Sequence, residues 1–401
     1  MKTVGIVAEY NPFHKGHEYQ LKMARELSGC EAVAVVMSGN FVQRGEPAII
    51  DKYKRAEAAV YGGADLVIEL PMPFSCQNAE MFARAAILEL KKLNITHLSF
   101  GCENDDINLL KEIAHNQVYD KNFSQAVKKE LKKGISYPSA ITNAMSFIHD
   151  DNIEFILKLP NNVLAIEYIK NSLKCGCDFE FVPIKRIGKN HNDKTISGVY
   201  DSATAIRKNI IDDFKNLQNL SLTEKSIEMI DKFYNEFGNF NSINNYLNYI
   251  YFHILQLGKE GLNEIYEVSE GLNNKIYENA LKYESVDEFI MSLKSKRYTY
   301  SKIRRILLNI LLNLKKNDIK NFMLPNNYIK VLAFNNVGRQ ILKDSKVNKI
   351  NIVNRYSDYK QNSIALNFFD FTCKSTNIYY LPFGRKKINQ EYYMNSVYID
   401  I

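Results

Sequence analysis

A 401-residue chain with no tryptophan, six scattered cysteines and no long apolar run has several functions closed to it. No stretch approaches the roughly twenty uninterrupted apolar residues of a membrane span, so no membrane role is expected. Cys30, Cys76, Cys102, Cys175, Cys177 and Cys373 include one close pair, Cys175-Gly176-Cys177, and no CxxC spacing. With the first strand starting at once and no secretory leader ahead of it, they are expected to be reduced thiols of a cytoplasmic protein. The helical zinc pair, two histidines at i,i+4 beside a glutamate, is missing, and no protein metal ligand can be named. No serine or cysteine nucleophile arrangement and no carboxylate dyad is evident either. The lack of tryptophan, alongside abundant Lys, Asn, Ile and Tyr, is a compositional bias without functional content.

What is present starts with a stretch near the amino terminus, TVGIVAEYNPFHKGHEYQ, from Thr3 to Gln20. An apolar strand (Val4 to Val7) ends in a polar turn, and His14-Lys15-Gly16-His17 stands where an amphipathic helical pattern begins (Leu21, Met23, Ala24, Leu27). A helix start offers N–H groups and the positive end of the helix dipole to a phosphate. Residues three apart share a face there, so His14 and His17 can address one anion. Gly16 removes a Cβ that would obstruct close approach. That arrangement suits electrostatic catalysis at an α-phosphate.

The chain then alternates. Further strands are expected at Glu31–Ser38, Ala64–Leu70 and His97–Phe100, with helices at Asp51–Gly62 and Asn78–Leu93. This is the pattern of a doubly wound parallel-sheet α/β domain, whose ligands sit at the carboxyl ends of its strands. Gly101, after the fourth strand, can line the same crevice as the histidines. The loop Gly39–Pro47, with one arginine at Arg44, is either a holder of a second substrate, a lid, or a plain connector. A polar helical insertion follows from Asp105. Asn161 or Asn162 is expected to cap a helix after Pro160, and a strand is expected at Phe179–Ile184. After it come Lys185-Arg186-Ile187-Gly188 and the loop Lys189–Asp193. Ser202-Ala203-Thr204-Ala205-Ile206-Arg207 opens another helix suited to the β- and γ-phosphates, with Ser202 or Thr204 as cap and Arg207 reaching back.

From Leu220 the pattern is almost wholly helical to about Phe334, with short strand-like pieces at Lys349–Val353 and Ile378–Leu381. Two domains are expected: residues 1–218, binding ATP, and a mainly α-helical unit, 219–401. Net charge is +7, which fits a polyanionic partner. The charge concentrates in Lys294–Lys316, where Lys294, Lys296, Arg297, Lys302, Arg304, Arg305, Lys315 and Lys316 surround Tyr298 and Tyr300 with no acid among them. Such a run reads as an RNA-binding surface, with Arg385-Lys386-Lys387 a lesser candidate.

These motifs resemble the HxGH nucleotidyltransferase superfamily. More closely, VAEYNPFHKGHEYQL, MSGNFVQRGEPAI, the PNN segment and DSATAIRK resemble the bacterial tRNA(Met) cytidine acetate ligase family, along the whole chain. The resemblance implies that ATP and acetate give acetyl-adenylate and pyrophosphate, and that the acetyl group passes to the wobble cytidine of elongator tRNA(Met) as N4-acetylcytidine. It implies ATP contacts at Val7, Ala8, Glu9, Tyr10, Asn11, Pro12, Phe13, His14, Lys15, Gly16, His17, Glu18, Tyr19 and Gln20, and at Gly101, Asn161, Asn162 and Arg186. His14 and His17, with Lys15 nearby, would carry the catalysis, and Mg²⁺ would bridge the phosphates. Ala203 departs from the superfamily's I-S-S-T-x-I-R pattern, leaving Ser202, Thr204 and Arg207. Two alternatives stay open: a nucleotidyltransferase acting on a small phosphorylated cofactor precursor, and a catalytically silent ATP- and tRNA-binding protein.

Overall fold

The computed structural model describes residues 1–146, 152–186, 200–324, 326–361, 363–384 and 387–401. Ile187-Gly188, the expected loop at Lys189–Asp193, and Arg385-Lys386 lie outside them.

In the first half the elements fall close to their sequence signals. Strand β1 is Thr3–Ala8 and helix α1 is Lys15–Ser28, closed by Gly29 at φ 61°. Strand β2, Ala32–Ser38, is buried along its whole length. The Gly39–Pro47 loop contains an antiparallel hairpin of β3 (Phe41–Val42) and β4 (Glu46–Pro47). Asp51 caps α2 (Lys52–Tyr61) by accepting from the N–H groups of Tyr53 and Lys54. Then come β5 (Leu66–Leu70), α3 (Ala79–Lys92, capped by Asn78) and β6 (His97–Cys102). The next crossover is helical: α4 (Ile107–Tyr119), α5 (Lys121–Leu131), α6 (Tyr137–Ser146), α7 (Asn152–Lys158) and α8 (Pro160–Lys174). Strand β7 (Glu180–Lys185) and α9 (Ala203–Asp212) complete this part.

The helical stretch comprises α10 (Glu224–Phe237), α11 (Leu247–Glu264), α12 (Leu272–Asn279), α13 (Val286–Leu293), α14 (Tyr300–Leu311) and α15 (Lys316–Phe322). The chain then returns to the sheet through β8 (Tyr328–Phe334), α16 (Asn336–Ser345), β9 (Asn351–Val353), α17 (Ser363–Tyr380), α18 (Gln390–Tyr393) and β10 (Val397–Tyr398). Ile378–Leu381, expected as a strand, is instead the end of α17 and the turn after it.

The main sheet runs β10-β8-β5-β2-β1-β6-β7, with β9 beside β8. Among the described residues its pairings are parallel except that of β5 with β8. The doubly wound expectation holds, and strand order reverses between β1 and β6, the place at whose carboxyl ends sheets of this kind take their ligands. Alternate residues explain the apolar strands. Val33, Val35 and Met37 face one core, while Ala32, Ala34 and Val36 face the other. The first core continues without a break into Ile230, Phe233, Ile306 and Ile310 of the helical half. Strands β8, β9 and β10 of the second half thus extend the sheet of the first, and the helices before them share that sheet's core.

Candidate active site

The turn after β1 is packed into the interior. Tyr10 adopts φ 47°, Asn11-Pro12 is cis, and Tyr10, Asn11 and Phe13 are buried. Tyr10 meets Phe13 edge to face at 5.0 Å and packs on the His17 ring at 4.7 Å. His14 is the cap of α1: its Nδ1 accepts from the Gly16 N–H at 3.1 Å. With Nδ1 accepting, Nε2 is the protonated nitrogen of the neutral ring. The two imidazoles stack, centroids 3.7 Å apart.

The N–H groups of this helix start are engaged within the protein. Lys15 N–H donates to the Ser221 carbonyl, Gly16 N–H to His14, and His17 N–H to the His14 carbonyl. The expected offer of free backbone donors is therefore corrected, and the side chains and dipole remain to hold an anion. Gly16 also has another reason. A Cβ there would lie 2.9 Å from Cε1 of His14, so glycine makes room for the capping ring.

Behind the turn, fully buried Arg55 donates to the carbonyls of Glu9, Ser38, Gly39 and Ile50, joining the ends of β1 and β2. Glu9 accepts from Gln43 N–H at 2.9 Å, and burial raises its carboxyl above the usual range against the opposing charge of Arg44. Asn11 Oδ1 accepts from Ile49 N–H. Of the expected Val7–Gln20 contacts, Tyr10–Phe13 are thus interior support, whereas Lys15 and Glu18 are exposed and Val7, Ala8, Tyr19 and Gln20 partly so.

Across the crevice, Gly101 of β6 faces Arg186 and Gln20: a Cβ at 101 would meet Arg186 Cγ at 3.6 Å and Gln20 Nε2 at 4.0 Å. Arg186 donates to Asn161 Oδ1 at 3.2 Å. Asn161 and Asn162 do not cap α8, because the helix already starts at Pro160 with Leu159 in the cap position. Its first turn is satisfied from outside. The Glu103 carboxylate accepts from the N–H groups of Asn161 and Asn162, while Asn162 Oδ1 accepts from the N–H groups of Glu103 and Asn104.

Ser202 caps α9, accepting from Ala205 N–H, as expected. Arg207 does reach back, with Nη2 3.4 Å from Thr204 Oγ1, but its Nη1 donates to the Asn11 carbonyl at 2.8 Å and its Nη2 pairs with Glu46 at 3.2 Å. Segment 201–207 is tied to the α1 start through Asp201, which accepts from Ser221 Oγ, and through the Ser221 carbonyl on Lys15.

The basic segment divides. Lys294, Lys296 and Arg297 are exposed, with Arg297 paired to Glu270. Arg304 and Arg305 turn inward. Each side chain is 14% exposed and paired with an acid, Arg304 with Glu46 and Arg305 with Glu267. The expectation that nothing offsets this charge is corrected, because acids distant in sequence do so. Glu46, Glu103, Arg55 and Ser221 were not named as site residues. Arg55 and Ser221 act through long-range contacts that leave no local pattern, whereas Glu46, in the Gly39–Pro47 loop beside Arg44, and Glu103, in the turn after Gly101, adjoin residues that the sequence singles out.

An imidazole pair at a strand-end helix start can stabilise charge developing on a bound phosphate. Over residues 1–393 the chain matches the HIGH Nucleotidyl Transferase family. The tRNA(Met) cytidine acetate ligase of Clostridium perfringens is 39% identical over 411 aligned residues, covering 99% of each chain. The ligase of that name from a Thermoanaerobacter species is 40% identical over 395, covering 97% of each. The crystal structure of Thermotoga maritima TmcAL in its apo form superimposes with a TM-score of 0.93 at 33% identity, and TmcAL bound with α-thio ATP with 0.91 at 32%, each over 100% of both chains. The chain belongs to the HIGH nucleotidyl transferase family and, within it, to the tRNA(Met) cytidine acetate ligases.

Proposed function

We propose that the chain is an ATP-dependent ligase of the cytoplasm that activates acetate and acetylates the wobble cytidine of elongator tRNA(Met). An acetate oxygen attacks the α-phosphorus of ATP, pyrophosphate leaves, and acetyl-adenylate forms. The cytidine N4 amine then attacks the acetyl carbonyl, AMP leaves, the amine loses a proton and N4-acetylcytidine results. Acetate needs a placed electrophile more than an activated nucleophile. The observation that carries the reading is the stacked His14–His17 pair at the switch point between β1 and β6. Both rings would stabilise charge on the α-phosphate and departing pyrophosphate, with Lys15 close by.

ATP is proposed to lie between the Val7–Gln20 segment and a far wall of Gly101, Asn161, Asn162 and Arg186, with Ser202, Thr204 and Arg207 toward its outer phosphates. Among the described residues no group of three or more His, Cys, Asp and Glu could hold a metal. Mg²⁺ is therefore proposed to travel with the nucleotide phosphates, and no step is assigned to a protein-held ion. Residues 1–218 are proposed to do the adenylation and 219–401 to receive the tRNA. No helix among the described residues is long and apolar enough to cross a membrane.

Incubation with ATP and labelled acetate, with and without tRNA(Met), tests this. Acetyl-adenylate should form in both arms and N4-acetylcytidine in the second; no acetyl-adenylate in either arm sinks the reading.

A further inference from the structure

Between the adenylation turn and the helical half stands the β3–β4 hairpin. Its Glu46 is clamped from both sides. Oε1 pairs with Arg207 Nη2 at 3.2 Å and Oε2 with Arg304 Nη1 at 3.1 Å. Each arginine makes a second contact. Arg207 Nη1 donates at 2.8 Å to the Asn11 carbonyl, in the turn that leads into His14. Arg304 Nε donates to the Arg44 carbonyl at the hairpin tip at 2.6 Å. The tip also touches the turn directly, since Gln43 N–H donates to Glu9. Gly45, at φ 75°, fixes how closely the tip meets α14: a Cβ there would lie 2.8 Å from the Arg305 nitrogen and 3.0 Å from the Arg304 carbonyl carbon. Hairpin and helix are thus in backbone contact with no slack.

We propose that Glu46 and Arg304 are positioning residues for adenylation: their ion pair holds Arg207 on the Asn11 carbonyl and so fixes the turn that presents His14 and His17. The guanidinium fork explains why arginine stands at both places, because each makes two differently directed contacts at once, which a lysine cannot reproduce. Side chains 14–17% exposed keep these ion pairs out of bulk solvent. Misplacement of reacting groups by about an ångström costs on the order of 10²-fold in rate, so a fixed turn matters more to turnover than to ATP affinity. Arg304, which the sequence places in an RNA-binding run, thereby serves chemistry rather than tRNA affinity.

This inference rests on the adenylation reading, and the wild-type protein separates the two. Acetate-dependent ATP–pyrophosphate exchange is measured without tRNA, together with ATP and tRNA dissociation constants, for wild type, Glu46→Gln, Arg304→Gln and the double variant. No exchange by wild type overturns the function itself. With wild-type exchange established, each single variant should lose at least tenfold in kcat with the ATP dissociation constant within threefold. Arg304→Gln should bind tRNA within twofold of wild type. The double variant should lose no more than Glu46→Gln alone, because that substitution already breaks the pair with Arg304 as well as the pair with Arg207. Wild-type turnover in Glu46→Gln, weakened tRNA binding with intact exchange in Arg304→Gln, or losses that multiply in the double variant would each overturn the proposal. Should Glu46→Gln not fold, Arg304→Gln carries the test through the same kcat and tRNA readouts.

Discussion

The imidazole rings of His14 and His17 lie face to face, 3.7 Å between centroids and 26° between planes, with His14 held by its bond from the Gly16 N–H. The two rings therefore have different duties. His14 builds the helix start, whereas His17 is held by packing against Tyr10 and Phe13. His17→Ala is expected to lower the adenylation rate by on the order of 10²-fold or more while changing ATP affinity much less. Single-turnover acetyl-adenylate formation beside equilibrium ATP binding checks this; a pure affinity loss would make His17 a binding residue only. His14→Ala should lose rate and also about 1 kcal/mol of stability with the cap, read as a shift in the urea midpoint that His17→Ala lacks.

Asn162 is fully buried, and its side-chain oxygen accepts from two backbone N–H groups, those of Glu103 and Asn104. Asn162→Ala deprives both of that acceptor, so it should cost about 1–3 kcal/mol. It should also weaken ATP binding, since the Glu103 turn and the α8 start hold each other. Denaturation and nucleotide titration of the same variant measure the two effects, and unchanged stability would refute the structural role of this side chain.

The exposed part of the basic segment predicts a salt signature. Replacing Lys294, Lys296 and Arg297 together by Ala should weaken tRNA binding and flatten its log–log salt dependence by roughly two to three, about one for each phosphate no longer neutralised. Acetyl-adenylate formation without tRNA should be unaffected, because none of the three touches the adenylation turn. An unchanged salt slope would place the RNA surface elsewhere.

A buried ion triad joins the end of the chain to the sheet. Lys52 Nζ lies 2.6 Å from Glu69 and 2.8 Å from Glu391, with all three side chains at most 4% exposed. Burial alone would raise the Glu391 carboxyl, but the charges of Lys52 and Lys330 outweigh it and hold the pKa below its usual 4.5. A carboxyl depressed in the folded state contributes stability above about pH 4.5 that is lost as pH falls through its folded value. Lys52→Met strands two buried carboxylates and should cost roughly 3–5 kcal/mol at neutral pH. Its deficit against wild type should shrink as pH falls, starting above pH 4.5, because burial without Lys52 makes the stranded carboxylates take up protons more readily than free ones. The shrinkage should continue below that pH as wild type loses the Glu391 contribution. Urea midpoints across pH show this, and a constant deficit would contradict it.

The sequence by itself determined whatever is written locally. Residues 3–17 announce strand, turn and helix start through β-branched residues, a proline turn and a polar cap. Asp51, Asn78 and Ser202 mark helix starts for the same reason, since a cap is set by one side chain and the nearest turn of backbone. Strands buried on both faces read as continuous apolar runs, which is why the doubly wound order was legible. Tertiary structure decided everything that depends on partners far along the chain. It supplied the Ser221 carbonyl at the α1 start, Glu103 at the α8 start, the antiparallel insertion of β8, and the contact of Arg304 with a backbone 260 positions away. A cation in a run without acids reads as free charge, yet burial makes an unpaired charge so costly that folding finds it a counterion elsewhere. Only the folded chain could therefore separate Arg304 and Arg305, each paired with an acid distant in sequence, from the three exposed basic residues, Lys294, Lys296 and Arg297.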